Sequence, residues 1–363
     1  TRVINFGSST VTLSSGIPFD FGTFTGLTFN AGTSTIILTA NITTFSPTTT
    51  ASLTFYNVSF TNTSTATRAF SSAVTGNTFN NLTIAGPAAA GVTQITFNAP
   101  HTINGTLSTT GTAGNRRVWF RGVTYGLAQT LTINSAPSLT DADFRDLYVI
   151  GTAAPISGTR IGDLRGNSGI TFSTPKTVYW NLAAGGNWSA NAWAATSGGA
   201  VSTDNFPLAQ DTATFVNSGL NTSATVTWDS AITYAGTIDM SARTNAMNLS
   251  VSANSGTIYG NLINGSGSSW PGANAVTFSG RNTQTVTSAG KTFAGGFTVD
   301  SYGGTVELAD ALNIGTNNLT VTNGTFDTKN YAVTAGQLSS NNTNIRTINL
   351  GSSTVTLSSN TIV

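Results

Sequence analysis

Residues 2–15 read Arg-Val-Ile-Asn-Phe-Gly-Ser-Ser-Thr-Val-Thr-Leu-Ser-Ser, and residues 346–359 read Arg-Thr-Ile-Asn-Leu-Gly-Ser-Ser-Thr-Val-Thr-Leu-Ser-Ser. The copies differ only at Val3/Thr347 and Phe6/Leu350, and all four residues suit a strand. Each copy predicts a short strand, a Gly-Ser-Ser turn and a second strand with strict polar/apolar alternation. A unit this small cannot bury its own apolar face, so it needs neighbours stacked on it. The sequence therefore predicts an all-β chain of parallel β-helix or β-solenoid modules, forming an elongated rod. Arg2, Asn5 and Gly7, with Arg346, Asn349 and Gly351, are the residues expected to mark an assembly coil.

Composition agrees with a folded β protein. Charged residues are 7% of the chain, yet the apolar set is 39% and includes 20 Phe. A disordered chain has the opposite bias. No window of helical length carries an i, i+3, i+4, i+7 stripe. The net charge of +1 gives no global field to attract nucleic acid or an anionic membrane. Cysteine is absent, which excludes disulfides and thiolate metal sites. No apolar run reaches membrane-spanning length, and no basic-then-apolar leader opens the chain. The start at Thr1 and the repeated ends give the expectation of an excerpt from something longer.

Strand-like runs recur at short intervals: Gly26 to Asn30, Ser34 to Thr39, Ser52 to Phe60, Thr78 to Ile84 and Thr102 to Leu107, then Ala224 to Trp228, Phe297 to Val299 and Thr305 to Leu308. Several share a signature, Leu-Thr-Phe at 27–29 and 53–55, Leu-Thr-Ile at 82–84 and 131–133, and Leu-Thr-Val at 319–321. Such self-similarity favours a solenoid over its competitor, tandem β-sandwich domains. Asn and Thr beside the turns can form ladders from coil to coil. Coils of about 22 residues rising about 4.8 Å each are expected.

The expected organisation is a terminal coil (1–15) equivalent to the end of a preceding module, then a solenoid module (16–175) and a second module (176–363). The first ends in an Arg/Asp-rich segment (116–165). The second opens on a Trp-rich entry (176–215) and closes on the repeated coil (346–359).

Segment 116–165 holds six of the eleven Arg, and four of the twelve Asp. Asp141 and Asp143 would share a face of a strand, as an acid/base pair on a glycan-cleaving rod would. Pairing with Arg145, Arg160 and Arg165 is the simpler expectation. The resulting charge network would comprise Arg116, Arg117, Arg145, Arg160, Arg165, Asp141, Asp143, Asp146 and Asp163. Residues 141–146 superficially resemble a calcium loop but lack its Gly and terminal Glu, so no metal is expected. His101 is the only histidine and sits at a strand entry, without the Gly-x-Ser-x-Gly elbow of a hydrolase. No enzyme activity and no cofactor are expected. Trp180, Trp188 and Trp193 offer two readings, a platform for sugar rings or a lid that fills the end of a core. Asn-x-Ser/Thr triplets, as at Asn57 and Asn81, follow from composition, and Gly303-Gly304 lacks the Lys-Ser/Thr of a phosphate loop.

The end coil combines with Leu-Thr-Asp-Ala-Asp-Phe-Arg-Asp at 139–146, Gly-Thr-Arg-Ile-Gly-Asp at 158–163, Lys-Thr-Val-Tyr-Trp-Asn-Leu at 176–182 and Phe-Pro-Leu-Ala-Gln-Asp-Thr-Ala at 206–213. Together they resemble large, repeat-rich structural proteins of tailed bacteriophages of aquatic bacteria. The resemblance implies a virion or tail fibre built of β-solenoid modules, located outside the cell or on the virion surface and engaging a host surface. The duplicated end coil gives the expectation of a head-to-tail filament, with units stacked within one long chain or between chains, and the resemblance adds a trimeric fibre and a host cell-surface glycan as partners. A bacterial surface filament or glycan-binding adhesin is the alternative, and a glycan depolymerase a more distant one.

Overall fold

The computed structural model describes residues 2–14, 26–41, 44–45, 51–70, 76–252 and 255–359. Thr1, Ser15 and residues 16–25 of the expected first coil and module lie outside the described residues, as do 360–363 of the second. Among the described residues the only helix is a 3-10 turn, Thr203–Asn205. The chain divides into two compact units, Thr1–Thr174 and Pro175–Val363.

In the first unit, one sheet carries Thr10–Leu13, Thr35–Leu38, Thr54–Phe60, Thr78–Ala85, His101–Ile103, Gln129–Ile133 and Leu147–Ile150 in chain order. A second carries Thr44–Phe45, Thr67–Phe70, Gly91–Phe97, Arg116–Gly122, Ala142–Arg145 and Gly162–Asp163. From Thr44 onward the chain alternates between the sheets, except that Leu107–Thr110 follows His101–Ile103 in the first, and neighbouring strands in each run parallel. That is a parallel β-solenoid. Tandem sandwiches would instead have shown antiparallel neighbours joined by short loops.

Period-2 patterning explains why the strands form where they do. In Gly91–Phe97, Thr93, Ile95 and Phe97 point inward, while Val92 and Gln94 are half-buried. In-register stacking turns these positions into columns. Phe29, Phe55 and Phe79 follow one another at 5.4 and 5.8 Å between ring centroids. Phe70, Phe97, Phe120 and Phe144 do the same at 5.5, 6.3 and 5.4 Å. Asparagine ladders accompany them: Asn30 donates to Asn5 at 2.6 Å, Asn81 to Asn57 at 2.8 Å and Asn134 to Asn104 at 2.8 Å. These bonds satisfy amides where neutral residues replace the charges of an ordinary surface.

The second unit is built the same way, in sheets of thirteen, four and three strands. Its exception lies at the Trp-rich entry. Thr177–Trp180 pairs parallel with Thr212–Thr214 on one side and antiparallel with Trp193–Ala194 on the other. The antiparallel strand covers an edge that would otherwise present free backbone groups.

Coil length is less regular than the expected value of about 22. Cross-coil partners lie 24 residues apart at Leu53 and Asn77, 18 at Asn134 and Thr152, and 35 at Lys176 and Asp211. Stacked positions keep their register while corners absorb extra chain, because loop entropy grows slowly with length. The run from Thr102 to Leu107 proves to belong to two strands, His101–Ile103 and Leu107–Thr110. Conversely, Phe297 to Val299 and Thr305 to Leu308 are parts of one strand, Phe297–Leu308.

Candidate functional site

The Arg/Asp-rich segment is assembled by three stacked strands, Gly91–Phe97, Arg116–Gly122 and Ala142–Arg145. Arg117 is fully buried and grips Asp143 bidentately, Nε to Oδ2 at 2.6 Å and Nη2 to Oδ1 at 2.8 Å. The same guanidinium donates to the carbonyls of Gly114 at 3.1 Å and Arg160 at 2.9 Å. Arg160 holds Asp141 with Nε at 2.7 Å and Nη2 at 2.9 Å. Arg145 lies 3.4 Å from Asp146, whose carboxylate also accepts the Gly126 N–H at 3.2 Å. Arg165 reaches Asp163 at 3.1 Å, and Arg116 reaches the Ala88 carbonyl at 3.4 Å. Asp141, Asp146, Arg160 and Arg165 all adopt positive φ, between 51° and 73°. These four residues therefore sit at tight corners, and the carboxylates of Asp141 and Asp143 are turned onto guanidinium groups. Among the described residues, no group of three or more His, Asp or Glu is placed to hold a metal ion.

Trp180, Trp188 and Trp193 are each at most 1% exposed. Trp193 meets Trp188 at 4.8 Å and Trp180 at 5.2 Å, and Trp188 stacks on Trp228 at 5.3 Å. Their faces pack on one another and on Phe215, so the platform reading is corrected: no indole face is open to a sugar. The physical reason is the antiparallel return through Trp193–Ala194, which folds the aromatic segment over the end of its own core.

His101 is 1% exposed and lies among Phe70, Phe79 and Phe97. Its Nδ1 accepts the Asn77 N–H at 3.0 Å, and Asn77 in turn accepts the Leu53 N–H at 3.0 Å. Burial pushes the imidazole down to about 4, so it is neutral at pH 7. Sequence reasoning missed Arg243, which is buried and donates to the carbonyls of Val216, Leu220, Asn221 and Ala246 at 2.6–3.0 Å. The nearest carboxylate in sequence, Asp239, accepts the Ser241 N–H at 2.9 Å. The described bonds of the Arg243 guanidinium go to backbone carbonyls instead.

The end coils fold alike. In the first, Gly7 has φ +56° and Ser9 N–H bonds the Phe6 carbonyl at 3.0 Å. In the second, Gly351 has φ +52° and Ser353 N–H bonds the Leu350 carbonyl at 2.9 Å. They differ in which side is covered. Arg2–Asn5 and Thr10–Leu13 pair with the following coil, at Leu27–Asn30 and Thr35–Leu38. Arg346–Asn349 and Val355–Leu357 pair with preceding coils, at Asn318–Asp327 and Val333–Ala335.

No family model matches this chain, and neither the curated proteins nor the solved structures include a match to it. The fold defines the class: an all-β parallel solenoid, an architecture suited to a structural or fibrous role. No helix among the described residues is long and apolar enough to cross a membrane.

Proposed function

We propose that this chain is a non-enzymatic building block of an extracellular fibre, of the kind found on bacteriophage tails or virions, which assembles end to end and displays its sides to a host surface. The observation that carries this reading is the duplicated end coil. One copy exposes the side that the other has covered, so the pair together define neighbours for both sides of a single coil. A second copy of the chain can therefore extend the ladder without any new kind of contact, as a head-to-tail interface requires. The half-buried inward residues Ile4, Val11 and Leu13, and Ile348, Val355 and Leu357, supply the apolar area. The Arg/Asp network has a structural role here, clamping corners, because its carboxylates are occupied by guanidinium groups.

Sedimentation velocity over a concentration series, with negative-stain imaging of the same samples, tests the assembly. Growth into strings of end-joined particles is the expected outcome. Single particles of constant size at every concentration would overturn it.

A further inference from the structure

We infer that a groove beside Tyr302, on the side of the second unit, binds a neutral saccharide chain. The strand Phe297–Leu308 loses register against Asn318–Asp327 twice, between Val299 and Asp300 and between Asp300 and Thr305. Irregularities of this kind interrupt the ladder and re-aim side chains, and they concentrate beside functional sites. Here the extra residues lift Tyr302 out of the sheet to 47% exposure, and Ile345 stands beside it at 94%. The displacement is built in. Gly303 takes φ +71°, and a Cβ on Gly324 (φ +77°) in the next coil would lie 2.0 Å from the Ser301 carbonyl oxygen. These residues border a groove of about 470 Å³.

The lining selects the ligand. Tyr302 and Ile345 provide an apolar surface for the C–H face of a sugar ring. Thr305, Thr325 and Thr347 stand in register on successive coils, a row of hydroxyls about 4.8 Å apart that both donate and accept. Arg281 lies 5.3 Å from the Tyr302 ring centroid and fixes its orientation, which lowers the entropy lost on binding. The cation in the lining, Arg346, donates to Ser340 and to the Asn344 carbonyl at 2.7 Å, so the groove does not present a guanidinium to an anion. An apolar surface beside a row of hydroxyls, with the Arg346 guanidinium occupied and Arg281 held on the Tyr302 ring, fits a neutral polyol. The inference deepens the attachment part of the proposed function and rests on it for biological purpose only, since binding does not require assembly.

The test is saturation-transfer NMR and titration calorimetry with chito-, cello-, malto- and manno-pentaose, on the whole protein and on Tyr302→Ala, Tyr302→Phe and Ile345→Ser. At least one pentaose should saturate, with affinity lost about tenfold in Tyr302→Ala and kept in Tyr302→Phe. Equal circular dichroism and melting temperature would show that the variants are folded. No saturation by any pentaose, or unchanged affinity in Tyr302→Ala, would overturn the inference. The same samples in the centrifuge report assembly separately, so failure of the saccharide site and failure of the fibre reading are distinguishable.

Discussion

Gly7 and Gly351 occupy the same left-handed corner at opposite ends of the chain, with φ of +56° and +52°. Side chains other than glycine's are strained there by about 1–2 kcal/mol. Gly7→Ala should cost about that much, since among the described residues no atom lies within 4 Å of its added Cβ. Gly32→Ala should cost more, because its Cβ would stand 2.2 Å from the Gly7 carbonyl oxygen. Urea unfolding of the two variants checks the order. Equal losses would mean that the close stacking of these corners contributes nothing.

Arg117 and Asp143 form an ion pair with both side chains fully buried, and the buried Asp141 lies 3.6 Å from the same guanidinium. Removing one partner leaves a buried charge without compensation. Arg117→Ala should therefore destabilise the first unit by about 3–5 kcal/mol. The double change Arg117→Met with Asp143→Leu should recover most of that loss, because no charge is stranded. Denaturant titration of both variants decides the matter, and a single variant within about 1 kcal/mol of the parent would refute the clamp.

His101 gives the protein a defined acid response. Its folded pKa, about 4, lies below the ordinary 6.5, so the unfolded chain binds the extra proton first as pH falls. Stability should be at its full value above pH 6.5 and decline between 6.5 and 4 by roughly 3 kcal/mol, levelling with respect to this group below 4. Unfolding free energies measured across that window should show the slope, and His101→Phe should flatten it. A parental curve that is flat from pH 7 to 4 would contradict the neutral, buried imidazole.

Trp188 lies between Trp193 and Trp228 in the closed end of the second unit. Trp188→Ala should cost about 3–5 kcal/mol by opening a cavity. It should leave pentaose binding at 4 °C unchanged, provided the variant remains folded. A stable Trp188→Ala protein with weakened sugar binding would restore the aromatic-platform reading and remove the core assignment.

Strand positions were legible because stacking rewards local patterning. Ala224–Trp228 is a strand over the residues that its alternation predicts, and the Phe columns follow from apolar residues recurring in register. The corners were less legible. Thr102 to Leu107 reads as one run, but Asn104-Gly105 separates two strands, with Gly105 set against the backbone of Asn80. The Trp-rich entry announced bulky aromatic residues without saying which way they face, and an antiparallel return decided that. Tyr302 was hidden for the opposite reason. Tyr-Gly-Gly reads as a loop between two strands, whereas the chain continues through it as one irregular strand that turns the ring outward. Alternation encodes the inside of a coil well, but irregular corners depend on contacts with residues one coil away.

Electron cryo-microscopy of the concentrated native protein tests the central claim most directly. The account predicts filaments in which a layer spacing near 4.8 Å continues unbroken through each junction between molecules. Discrete particles, or junctions where the strand ladder stops, would contradict it.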